Sequence, residues 1–113
     1  MPALTIYHNP RCSKSRETLA LIQTKGLQPV IIEYLKTPLS YEALVTLKAH
    51  FALKDFVRTN EACFKTLGLS LTDEEALLKA MVTEPKLMQR PIVTYKGQAI
   101  IGRPPENVLN LLN

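Results

Sequence analysis

Leu4-Thr5-Ile6-Tyr7-His8-Asn9-Pro10-Arg11-Cys12-Ser13-Lys14-Ser15-Arg16 is the stretch that decides how this chain folds. Its first four residues are rich in β-branched and aromatic side chains, a strand signal. Helical spacing begins after Cys12, with Thr18, Leu19 and Ile22 recurring on one face and Gly26 as the stop. A cysteine at such a strand-to-helix turn meets free backbone N–H groups and a helix dipole, both of which favour an anion. Arg11, Lys14 and Arg16 add three positive charges before the first carboxylate, Glu17. Comparable surroundings bring a cysteine pKa from ~8.5 down to roughly 3.5–7.5. A buried structural cysteine is the commoner fate of a lone Cys, but three adjacent cations favour a reactive thiolate.

Working outward, Val30-Ile31-Ile32-Glu33-Tyr34 is a second strand by its β-branched content. Strand, helix and strand in this order predict a parallel pair with a right-handed crossover. Thr37-Pro38 breaks the chain, and Ser40 is placed to cap a helix carrying Leu44, Leu47 and Phe51. Shorter helical pieces follow over 53–67. Thr72-Asp73-Glu74-Glu75 has the T-x-x-E form of a capping box ahead of Leu77, Ala80 and Met81. Residues 92–95 and 98–101, joined by Lys96-Gly97, read as a hairpin. Pro104-Pro105-Glu106 opens a last helix with Val108, Leu109 and Leu112 inward. The order β-α-β, helical insertion, β-β-α is the thioredoxin-like arrangement, an α/β fold with a mixed four-stranded sheet. Such folds commonly place a proline beside the cysteine at the start of the third strand. Pro91 holds that place, and a cis Arg90–Pro91 bond is expected.

The 113 residues suit one domain spanning 1–113, without repeats, linker or low-complexity segment. With 46% hydrophobic and 21% charged residues the balance is that of a globular chain, not a disordered one. No apolar run reaches the ~20 residues that cross a membrane, and Met1–Thr5 lacks a signal-peptide pattern. A cytoplasmic location is expected, where thiols stay reduced. Cys12 and Cys63 are too few for a disulfide framework, and no Cys/His cluster has zinc spacing, so no metal is expected. The +4 net charge is spread over scattered lysines without an aromatic–basic stripe, which argues against nucleic acid. Of the five arginines, two flank Cys12, and Arg90 and Arg103 each precede a proline. Arginine's planar fork suits an oxyanion better than lysine's point charge, so a basic cleft for a small anion explains the pattern.

Three separated motifs carry a family resemblance: Tyr7-His8-Asn9-Pro10-x-Cys12-x-x-Ser15-Arg16, Arg90-Pro91-Ile92-Val93 and Arg103-Pro104. In these the chain closely resembles the glutaredoxin-coupled arsenate reductases, over essentially its whole length, and most of all the family's short members. The resemblance implies an oxidoreductase that reduces arsenate to arsenite, with Cys12 as nucleophile and Arg58, Arg90 and Arg103 binding the anion. It gives His8 a part in keeping the cysteine ionised, with Ser15, Arg16 and Pro91 in support. No tightly bound cofactor is implied; glutathione is co-substrate and glutaredoxin the partner that resolves the mixed disulfide. Because the motif is C-x-x-S, Ser15 cannot close a disulfide with Cys12, and an external thiol is required. Ser15 is open to two uses, donating a hydrogen bond to the thiolate or capping the helix.

Other readings stand beside this one. Characterised members are usually longer at the C-terminus, whereas this chain stops at Asn113. Ser13 and Lys14 replace a smaller, uncharged pair, which bears on arsenate as the substrate. A glutathione-dependent deglutathionylase is the nearest alternative. Relatives of the fold also include regulators that bind RNA polymerase and sense oxidation through C-x-x-C, a switch that Ser15 removes. Cys63 is expected to be a packed or idle thiol, His50 a surface or boundary residue.

Overall fold

The computed structural model describes residues 3–112; Met1, Pro2 and Asn113, the ends of the span expected to form one domain, lie outside them. These residues divide into two compact units, 3–34 with 90–112 and 35–89.

The first unit is the sheet. Strands β1 (Thr5–Tyr7), β2 (Val30–Ile32), β3 (Ile92–Tyr95) and β4 (Gln98–Ile101) lie in the order β2-β1-β3-β4. β1 runs parallel to β2 and antiparallel to β3, and β3 is antiparallel to β4, so the sheet is mixed as expected. Between β1 and β2 runs helix α1 (Ser13–Thr24), and after β4 comes helix α6 (Val108–Leu112). Their apolar faces meet the sheet in one core of Leu4, Ile6, Ile22, Val93, Val108 and Leu111. Leu111 takes the fully inward position expected of Leu109 and Leu112, which are only partly buried. β2 is shorter than its composition promises. Its Ile32 carbonyl accepts the His8 N–H at 2.8 Å, and the chain turns over Tyr34–Lys36.

Lys96 and Gly97 join β3 to β4 with positive φ at both residues (51° and 78°), the pattern of a type I′ turn that matches the strands' twist. The Arg90–Pro91 bond is cis, as expected, and so is Arg103–Pro104, which nothing in the sequence announced.

The second unit holds the helical insertion: α2 (Tyr41–Lys48), α3 (Leu53–Phe56), α4 (Ala62–Thr66), α5 (Glu74–Thr83) and a 3-10 turn over Pro85–Leu87. Ser40 caps α2 by accepting the Ala43 N–H at 3.2 Å. At α5 the expected capping box does not form, and the N-cap lies one residue later. Asp73, not Thr72, is the N-cap and accepts the Ala76 N–H at 3.1 Å, while the Thr72 hydroxyl pairs with Ser70. A carboxylate satisfies this end better than a hydroxyl because it also opposes the helix dipole. Lys48 and Glu74 tie α2 to α5 with an ion pair of 2.8 Å.

Gly102 sits where no side chain fits. A Cβ there would overlap the Thr18 hydroxyl and come within 2.8 Å of Pro91 Cγ. The Thr18 hydroxyl cannot easily give way, since it donates to the Lys14 carbonyl at 2.8 Å and is fully buried. Gly102→Ala is expected to destabilise the protein by about 1–3 kcal/mol through overpacking, read as a lower urea midpoint at unchanged m-value.

Candidate active site

The loop from β1 to α1 is built from its own polar atoms. Asn9 accepts the Cys12 N–H on its carbonyl and the Arg11 N–H on its side-chain oxygen, each at 3.0 Å. Pro10 between them pre-sets the backbone for such a turn. Arg16 reaches back and donates to the Pro10 carbonyl at 3.0 Å, tying the loop to the first turn of α1. Cys12 is thereby held as the N-cap of α1, in an extended conformation (φ −93°, ψ 123°), and no side chain caps the helix.

That position leaves the first N–H groups of α1 facing the sulfur. Burial is the largest single influence on the half-buried Cys12 and pushes its pKa up. The Ser15 N–H, the Arg90 guanidinium, the Lys14 N–H and the Arg103 guanidinium act against it and together outweigh it. The thiol therefore ionises below its ordinary range. The terminal nitrogen of Arg103 lies 3.7 Å from Cys12 Sγ, within reach of a hydrogen bond to the sulfur. The same side chain is steadied by its Nε, which donates to the Arg90 carbonyl at 2.9 Å.

Behind the loop, Ser15 and His8 form a buried pair, Ser15 Oγ to His8 Nδ1 at 2.7 Å. Ser15 Oγ also accepts the Asn9 N–H at 3.0 Å. The hydroxyl thus takes neither of the two uses expected for it. It braces the loop from inside, while the Ser15 backbone N–H faces the thiolate. His8 has its pKa lowered by burial, against the raising effect of Glu33 and with the lowering effect of Arg16. Either Nδ1 or Oγ donates in their hydrogen bond, according to the imidazole tautomer.

The sheet unit therefore gathers Cys12, His8, Ser15, Arg16, Arg90, Pro91 and Arg103. Arg58 belongs to the helical unit, where its guanidinium is ion-paired with Glu61 and its N–H donates to the Leu87 carbonyl at 2.7 Å. Cys63 lies on α4 in that same unit, and both cysteines are free thiols. Among the described residues no group of three or more His, Cys, Asp or Glu is placed to hold a metal, and no helix is long and apolar enough to cross a membrane. Gly102 and Asn107 were not legible as site residues. The Gly102-Arg103-Pro104-Pro105 run after a hairpin was the only signal available, since a glycine within a strand's end marks a close backbone approach.

A mixed sheet with an ionisable cysteine at the N-cap position of the first helix and a cis-proline just ahead of the third strand defines the thioredoxin-like class. Within that class the family is also identifiable. Residues 7–111 match the model of the ArsC family, and the chain belongs to that family. It is 48% identical to the uncharacterized protein YfgD of Escherichia coli K12, over 95% of this chain and 94% of that one. An arsenate reductase of Haemophilus influenzae is 43% identical, with 97% of this chain and 99% of the relative covered. An arsenate reductase of Vibrio cholerae superposes with a TM-score of 0.87 at 46% identity, over 95% of each chain. These two arsenate reductases thus match over nearly their whole length.

Three outcomes are expected. Alkylation of Cys12 by iodoacetamide should rise with pH through an inflection below the ordinary cysteine range and then level off. Arg103→Ala should move that inflection to higher pH, slowing alkylation at neutrality. Ser15→Ala should cost about 1–3 kcal/mol, because it strands a buried histidine nitrogen and a backbone N–H; thermal unfolding measures it.

Proposed function

We propose that this protein is a monothiol oxidoreductase that reduces arsenate to arsenite, with glutathione and glutaredoxin as electron donors. One observation carries the reading: Cys12 Sγ lies at the start of α1 with the Arg103 guanidinium 3.7 Å away. A thiolate with an adjoining cation is suited to meet a small oxyanion and attack its central atom.

In the proposed cycle the Cys12 thiolate attacks arsenic(V), forms a sulfur–arsenic bond and expels one oxygen, which leaves as water after taking up protons. Arg90 and Arg103 neutralise the charge on the remaining oxygens, a preorganised electrostatic role. Glutathione thiolate then attacks Cys12 Sγ. The sulfur–sulfur bond forms as the sulfur–arsenic bond breaks, and its electron pair stays on arsenic, which departs as arsenic(III). Two thiols have been oxidised to a mixed disulfide and arsenic has gained two electrons. Glutaredoxin removes the glutathione by attacking its sulfur, which returns Cys12 to the thiolate.

Two features of the residues support an external thiol. Cys12 is the sole cysteine of the sheet unit, and the residue three positions on, Ser15, is a serine with its hydroxyl engaged by His8. His8, Ser15 and Arg16 act as positioning residues that brace the loop and aim its N–H groups. Arg58 is given a share of the anion by the family resemblance alone, and its substitution is a separate test. A compartment that keeps thiols reduced, such as the cytoplasm, suits the cycle.

Arsenate-dependent NADPH consumption, coupled through glutathione, glutaredoxin and glutathione reductase, tests the reading. Wild type is expected to turn over and Cys12→Ser to be inactive. Arg103→Ala should lose roughly 100- to 1,000-fold in kcat, the usual cost of removing one oxyanion donor. A wild type without arsenate turnover, while Cys12 still alkylates as an acidic thiol, would overturn arsenate as substrate.

A further inference from the structure

Arg103 is an exposed, long side chain on a turn between β4 and the 3-10 turn Pro105–Asn107, and such a group keeps its aim only if its backbone is fixed. The turn has an unusual shortage of donors. Pro104 and Pro105 lack backbone N–H groups, so the Arg103 carbonyl finds no donor in the two residues that follow it. One side chain makes up the deficit. Asn107 Nδ2 donates to the Ile101 carbonyl at 3.3 Å and to the Arg103 carbonyl at 3.1 Å, spanning both ends of the turn. Inside that span the Arg103 N–H donates to the Ile101 carbonyl at 2.9 Å, and the Asn107 N–H closes on the Pro104 carbonyl at 3.0 Å.

We infer that Asn107 is a positioning residue for the anion site: its amide locks the turn from which Arg103 reaches Cys12. Asn107 touches neither the sulfur nor the anion and acts through Arg103. A primary amide suits the task because its NH2 carries two donors, which two carbonyls can share. The inference rests on the reading of Cys12 as the nucleophile with Arg103 as its cation.

The test uses the full chain in a Cys63→Ser background, leaving Cys12 as the single thiol. Thiolate acidity is followed by thiolate absorbance at about 240 nm and by iodoacetamide alkylation, for Asn107→Ala, Arg103→Ala and the double variant. Asn107→Ala is expected to slow alkylation at neutral pH by roughly two- to tenfold, as coupled neighbours do. The double variant should match Arg103→Ala alone, because Asn107 has nothing left to aim. Asn107→Ser, which keeps one short donor, should fall between wild type and Asn107→Ala and serves if the alanine variant folds poorly. Additive losses in the double variant, or a lower melting temperature with unchanged alkylation, would overturn the inference and leave Asn107 a purely structural residue. These readouts need no substrate, so a protein that fails to turn over arsenate sinks the proposed function without deciding this point.

Discussion

A half-buried negative charge at the start of a helix must be met by donors that cannot move away, and much of the sheet unit can be understood from that requirement. Burial alone would leave Cys12 a neutral thiol. What tips it the other way is a set of fixed dipoles and cations: two N–H groups of α1, and the guanidinium groups of Arg90 and Arg103. Each depends on a separate piece of the fold. The N–H groups need the Asn9 turn and the Arg16 tie to Pro10. Arg90 enters with the cis bond ahead of β3, and Arg103 with the turn after β4. Segments far apart in sequence are therefore answerable to one sulfur atom.

Packing serves the same end. α1 buries Ser15, Thr18 and Ile22 along one face, but only Ile22 is apolar. Ser15 faces the loop through His8 and Asn9, and Thr18 faces the bare backbone of Gly102. The upper half of the helix is thus seated by polar contacts and close backbone approach, the lower half by the hydrophobic core of Ile6, Val93 and Val108. Contacts of the first kind set position to a fraction of an ångström, which a site that aims N–H groups at a sulfur needs.

Much of this was legible in the chain itself. The strand at Thr5–Tyr7, the helix after Cys12, the hairpin at Lys96-Gly97 and the cis-proline at position 91 follow from local residue chemistry or from the order of elements. The gathering of Cys12, Arg90 and Arg103 was implied by the family resemblance that three motifs in order carry, which also added Arg58, a residue of the helical unit paired with Glu61. What escaped depends on tertiary neighbours. Nothing near Ser15 in sequence says that its hydroxyl turns towards His8, seven residues earlier and across a turn. Asn107 reads as an ordinary helix-start residue until the two prolines before it are seen to starve a turn of donors. Asp73 displaced Thr72 as the cap although only Thr72 has a glutamate three residues on, because its carboxylate meets the helix dipole as well as the Ala76 N–H. The Gly102 constraint is invisible without Thr18, 84 positions away.

The buried pairing of Ser15 with His8 also limits how this scaffold could change its redox habit. Replacing one hydroxyl by a thiol would give the chain the two-cysteine spacing of dithiol enzymes. That sulfur would start out fully enclosed, on the side of the helix that faces the imidazole. Swinging it towards Cys12 would abandon an imidazole nitrogen and the Asn9 N–H inside the protein. A disulfide between positions 12 and 15 would therefore call for position 8 to be remodelled along with position 15, so the interior of the helix start itself opposes a two-cysteine site.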